Sequence, residues 1–145
     1  MTLWMPLLAA LALAAVLPQA GLADFPAEFF PVAAVSRNAG LLASSAAPRI
    51  LTSDQWADYL IFRLYPRVRV FFDGRSDFYG EAIGEDYQVL LAGGRGSRSV
   101  MERRGFTMAL LPLDWPLGQI LERDPDWQVV YRDPRAVLLA RKAGT

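Results

Sequence analysis

The pattern of apolar and polar positions divides the chain into blocks of different period. Leu3 to Leu17 is apolar throughout, and Pro18 closes it. Trp56, Leu60 and Leu64 recur at four-residue spacing, which is one face of a helix running from a cap near Thr52 to Tyr65-Pro66. Val68 to Phe72 is apolar apart from Arg69, as expected of a strand covered on both faces in a parallel sheet. Ile83, Tyr87, Leu90 and Leu91 form a second helical face that stops at Gly93-Gly94. Phe106 to Leu111 is another apolar strand, and a helix follows through Leu117, Ile120 and Leu121. Trp127 to Arg132 and Ala136 to Arg141 are strands joined at Asp133-Pro134, a turn opening, and so predict a hairpin.

Shorter elements fill the gaps. Arg49 to Thr52 is a short strand, and Thr52-x-x-Gln55 and Ser99-x-x-Glu102 both fit capping boxes. Gly105 is a natural stop for the short helix after Ser99. Pro31 to Arg37 starts a helix with proline in first position, ended by Asn38-Ala39-Gly40. Gly80 and Gly84 lie one turn apart in the helix after the Val68 strand. They are either a costly pair or the mark of a face that approaches a strand or ligand closely. Alternation of strands and helices predicts an α/β fold in three layers: a mostly parallel sheet, helices on both faces, and a C-terminal antiparallel hairpin at an edge. An apolar N-terminal helix precedes it. The expected division is an apolar segment over 1–24, a connector over 25–47 and the α/β domain over 48–145.

The N-terminal block changes the picture most. Fifteen or so apolar residues are short of the roughly 20 needed for a span and long enough for the core of a signal peptide. Gly21-Leu22-Ala23 suits cleavage, but Met1 to Trp4 carries no positive charge. A signal peptide, an anchor and the tail of a last transmembrane helix all remain open. Each puts the rest of the chain at or beyond a membrane, on its extracytoplasmic, periplasmic face. Phe25 to Pro31 is aromatic and proline-rich, in keeping with a connector at headgroup level.

Composition then removes functions. The 145 residues suffice for one domain with a core, and 53% hydrophobic residues reflect the apolar terminus. Lys+Arg and Asp+Glu are both 15, so no basic field recommends nucleic acid as a partner. Lys142 is the only lysine; arginine binds carboxylate and phosphate bidentately, although a genome rich in G and C has the same signature. With no Cys and no His, disulfides, thiolate nucleophiles, structural zinc and imidazole bases are excluded together. A bound cation would be a divalent ion with oxygen ligands.

Ligands of open α/β sheets bind at the carboxyl ends of the strands. Those ends carry Asp54, Asp73, Arg75, Asp77, Tyr79 and Asp114. Three strands thus deliver acids toward one expected rim, fit for a cation or a polar ligand. The same residues suit plain structural work, since aspartate favours caps and turns and Asp73 with Arg75 suits a pair that fixes the turn. Gly93-Gly94-Arg95-Gly96-Ser97 follows a helix and lacks Gly-Lys-Ser/Thr, so it is no phosphate loop.

The stretch Leu64-Tyr65-Pro66-Arg67-Val68-Arg69-Val70-Phe71-Phe72-Asp73-Gly74-Arg75-Ser76-Asp77-Phe78-Tyr79-Gly80, after Ile50 to Tyr59, resembles the soluble C-terminal module of bacterial polytopic membrane proteins. Those proteins are related to the lipid-linked-sugar glycosyltransferases of the GT-C superfamily. Leu110 to Pro112, Asp126 to Asp133 and Arg141-Lys142 fit the same pattern, and the Asp73-to-Tyr79 segment is its specific part. Gln55 to Leu60 is more distantly similar to a motif of oligosaccharyltransferase catalytic subunits, without that motif's first Trp and its Gly. The resemblance implies an extracytoplasmic accessory domain partnered by a polytopic membrane domain, not catalytic by itself. From the residues alone, a small anchored or secreted module binding a polar or anionic ligand is the alternative. A self-contained enzyme would depend on carboxylates alone.

Overall fold

A computed structural model of the chain describes residues 25–44 and 49–142. The apolar segment over 1–24, with its signal-peptide, anchor and span readings, lies outside the described residues. Among the described residues no helix is long and apolar enough to cross a membrane.

Helix α1 (Val32–Leu42) opens after Pro31 and runs past the expected stop. Asn38 takes non-helical angles (φ −117°, ψ 17°) and its side-chain amide donates to Ala34 O at 2.8 Å, so the stop signal becomes a kink. Burial of Leu42 gives the last turn a reason to continue. Strand β1 (Ile50–Leu51) follows, then helix α2 (Asp54–Leu64). The stripe Trp56, Leu60, Leu64 is buried as its spacing requires. The cap is Ser53, not Thr52: Ser53 Oγ accepts from Trp56 N–H at 3.3 Å, and the Thr52 hydroxyl is buried with no partner.

Val68 to Phe72 does not form the expected central strand. Only Val70 bridges, parallel to Ile50, with Ile50 N–H donating to Arg69 O and Phe71 N–H to Ile50 O. Two-residue β1 offers one rung, and the segment lies on its outer side, at the sheet edge. Its apolar side chains are still used, Val68 in one core cluster and Phe71 and Phe72 in the other.

A 3₁₀ turn (Ser76–Phe78) leads into helix α3 (Glu81–Ala92), which Gly93 closes at φ +59°. A Cβ on Gly93 would stand 2.8 Å from Pro116 Cβ, so the end of α3 meets the start of the helix that opens at Pro116 at backbone distance. Gly84 has nothing within 4 Å of where a Cβ would be; no close approach explains it. Helix α4 (Ser97–Arg104) starts two residues before the expected capping box. Glu102 pairs with Arg98 instead of reaching back to the helix start, and Gly105 closes the helix at φ +66°. Strand β2 (Met108–Pro112), helix α5 (Pro116–Arg123) and strands β3 (Trp127–Arg132) and β4 (Ala136–Arg141) complete the chain.

The sheet is mixed, ordered β1-β2-β4-β3. β1 and β2 are parallel, whereas β2/β4 and β4/β3 are antiparallel, so the expectation of a mostly parallel sheet does not hold. The hairpin forms as expected, but not wholly at an edge: β4 inserts between β2 and β3. Its run Ala136 to Leu139 is apolar enough to be covered on both sides, and all four residues are buried. Side chains of β2 and β4 alternate between two clusters. Ala109, Leu111, Val137 and Leu139 join Tyr87, Leu90, Val100, Leu117 and Leu121 of α3 to α5. Met108, Leu110, Ala136 and Leu138 join Ala34, Val35, Leu42, Trp56, Leu60 and Leu64 of α1 and α2.

The stretch expected to be a connector is also part of this packing. Trp56 Nε1 donates to Phe29 O at 2.9 Å, and Phe25 packs edge-on against Phe30 and Tyr59.

Candidate functional site

The Asp73 turn is built from the buried side outward. Asp73 is fully buried, and a carboxylate there must be saturated to stay charged. Its Oδ1 accepts from Arg75 N–H at 3.0 Å and Arg75 Nε at 3.1 Å, and its Oδ2 accepts from Arg75 Nη2 at 2.7 Å. Tyr79 stands near it and helps to hold the carboxyl charged. The Arg75 hydrogen bonds hold the Asp73 carboxyl below its usual range against the opposing effect of burial. Arg75, in turn, is raised above its ordinary value, first by its hydrogen bond to Asp73. Tyr79 is raised too, by burial first and then by Asp73. At neutral pH the turn thus keeps both its carboxylate and its guanidinium charged.

Gly74 sits against α2. Its N–H donates to Asp58 Oδ1 at 3.3 Å, and a Cβ at this position would meet Asp58 Oδ2 at 2.6 Å. Phe72 links the turn to the other strand ends. It lies 4.9 Å from the Tyr79 ring and stacks on Tyr87 at 4.2 Å and 18°. The Tyr87 hydroxyl accepts from Asp54 N–H at 2.9 Å, at the start of α2. Burial pushes the Tyr87 phenol up to about 12.

The expected single rim is two sites. Asp73, Arg75 and Tyr79 line an open cleft of about 590 Å³. Asp54 and Asp114 line a separate one of about 570 Å³, with Ser53, Trp115 and Arg135. Asp77 lies exposed in the 3₁₀ turn and lines neither. The split follows from the sheet: the Val68–Phe72 segment is on the outer side of β1, whereas Asp114 follows β2 on its inner side. Among the described residues no three carboxylates come close enough to hold a metal ion. The oxygens of Asp73 are already taken.

Four residues of the first cleft escaped the sequence reading: Arg49, Asp58, Tyr65 and Arg69. Arg69 left a trace, as the one charge inside an apolar run. Arg49 and Asp58 come to the cleft only through strand pairing and helix docking. A second polar centre also escaped. Asp86 on α3 is mostly buried and receives Arg103 Nη2 at 2.6 Å and Arg104 Nε at 2.7 Å from α4. The Arg104 hydrogen bonds lead in lowering its carboxyl. This triad clamps the two helices and faces neither cleft.

Chemically, the six sequence-predicted residues make one saturated ion pair with a phenol, two acids of a separate cleft and one solvated acid. None is a nucleophile beside a base. The fold is a mixed α/β sheet covered by helices. Comparison with protein-family models, with curated proteins and with solved structures returns no match.

Proposed function

We propose that this chain is a binding module that is not catalytic by itself: an extracytoplasmic accessory domain of a membrane glycosyltransferase-like protein, held at the membrane by its apolar N-terminal segment. The observation that carries the non-catalytic part is the state of Asp73. A buried carboxylate with three bonds from Arg75 is a structural corner, not a base. The binding part is supported by the open cleft beside that corner, lined by polar and aromatic groups in a volume that suits a small ligand. The membrane and glycosyltransferase parts rest on the N-terminal apolar block and on the likeness of the Asp73-to-Tyr79 segment, which here is the cleft wall itself.

Two measurements test the reading. Protease protection in intact cells and spheroplasts should place the α/β domain outside the cytoplasm and in the membrane fraction; a cytosolic, unassociated chain refutes that placement. A thermal-shift screen of the full chain against divalent ions, neutral saccharides and phosphorylated compounds should find at least one stabilising class, because a ligand of the native state stabilises by mass action. A silent screen removes the binding module.

A further inference from the structure

Among the residues around the cleft, two guanidiniums have no structural task. The parallel bridge pairs Ile50 with Val70, so Arg49 and Arg69, one residue back on each segment, are neighbours across the pairing. Adjacent strands lie about 5 Å apart, and like charges directly opposite each other are destabilising. Among the described residues, neither side chain makes an ion pair or a hydrogen bond. By contrast, Asp86, Asp73 and Glu122 all have arginine partners close by. Both arginines line the cleft that Arg75 and Asp58 also line.

The electrostatics of this wall are one-sided. Three guanidiniums face two carboxylates, Asp58 and Asp73. Asp73 is consumed by Arg75, and Asp58 accepts from the Gly74 N–H. Arg75 spends Nε and Nη2 on Asp73 and keeps Nη1 for another partner, with a side chain 68% exposed. The wall keeps one net positive charge, and neither Arg49 nor Arg69 is held in an ion pair within it.

We propose that Arg49 and Arg69, with Arg75 at the side, form a binding site for the phosphoryl group of a small molecule. Guanidinium forks match phosphate oxygens bidentately. Two adjacent forks with a third beside them suit a group that carries several oxygens and about two negative charges. The proposal rests on the binding-module reading and names its ligand class. It does not use Asp54 or Asp114, which belong to the other cleft.

The test is calorimetric titration of the full chain in detergent with inorganic pyrophosphate, at constant ionic strength set by chloride. Wild type is expected to bind saturably. Arg49→Gln and Arg69→Gln are each expected to weaken binding about tenfold or more, and the double variant to abolish it, since one charged hydrogen bond is worth roughly that factor. Arg67→Gln removes a nearby exposed charge that does not line the cleft, and should bind as wild type does. All three substitutions are at exposed positions, so unchanged melting without ligand checks that the fold is kept. Glucose 1-phosphate and micellar phosphatidic acid then distinguish a soluble ester from a lipid headgroup; a response lost in the double variant supports the site in either case. Equal binding by wild type and the double variant, or none by wild type, overturns it. If a neutral saccharide stabilises the chain while pyrophosphate does not, the phosphoryl site fails and the module reading stands.

Discussion

Replacing Asp73 with Asn keeps the shape of the turn and removes its charge. The Arg75 bonds at 2.7 and 3.1 Å lose their ionic partner, and the amide nitrogen must face one of the former donors. A hydrogen bond to a charged group contributes roughly 1.5–3 kcal/mol. The Arg75 end is open to solvent, so its share is at the low end of that range or beneath it. The Asp73 end is buried, so its loss is not made good by water. Together these give a destabilisation of about 2 kcal/mol for Asp73→Asn at neutral pH. Against a domain stability of about 5–15 kcal/mol, that is readily measured by urea unfolding of the full chain in detergent. The pH dependence is the sharper readout. The folded carboxyl titrates below its unfolded value. Its contribution is therefore complete above the unfolded carboxylate pKa of about 4, and is lost as pH falls through the lower folded value. The gap between wild type and Asp73→Asn should be constant from pH 8 to about pH 5 and close on further acidification. A gap that is absent at pH 7, or one that persists unchanged into strong acid, refutes the saturated-corner account.

Four further substitutions probe how the elements around the site are held. Gly84→Ala should raise stability by about 0.5–1 kcal/mol in denaturant titration, because the helical position has open space for a methyl group; a loss would mean that the α3 surface is covered. Gly93→Ala should cost about 1 kcal/mol or more, since φ is +59° and the new methyl would strike Pro116; the melting temperature should fall accordingly. Ser53→Ala should cost about 1 kcal/mol through the lost cap of α2, while Thr52→Val should be neutral or stabilising because the buried hydroxyl has no partner. The reverse order of these two in thermal melts would restore Thr52 as the cap.

Much of the local structure was legible because its causes are local. The four-residue spacing of Trp56, Leu60 and Leu64 needs one apolar surface and nothing more specific. Gly93 and Gly105 stop helices because they tolerate positive φ. Asp133 makes the hairpin turn with its own neighbours, accepting from Arg135 and Ala136 N–H at 2.8 Å. Within the site, the Asp73–Arg75 pair is two residues apart and could be anticipated from the turn. Where two local signals competed, sequence pattern misled: Thr52 and Ser53 both suit a cap, and the helix start settles on the one whose oxygen reaches Trp56 N–H.

The covering of strands was a different matter. An apolar run such as Val68 to Phe72 says that side chains are buried, not that its backbone is paired on both sides. The same holds for Ala136 to Leu139, whose pattern permits a buried strand without naming its neighbours. The sequence by itself thus determined the helical stripes, the stops at Gly93 and Gly105, the hairpin and the charged corner at Asp73. Only the tertiary structure decided that β4 enters the middle of the sheet and that the Val68 segment is left on the rim. That single choice of pairing separates Asp54 and Asp114 from Asp73, and it brings Arg49 beside Arg69. The physical reason is range. Caps, turns and stripes are contests within a few residues, whereas pairing partners far apart along the chain compete through the burial of the whole sheet.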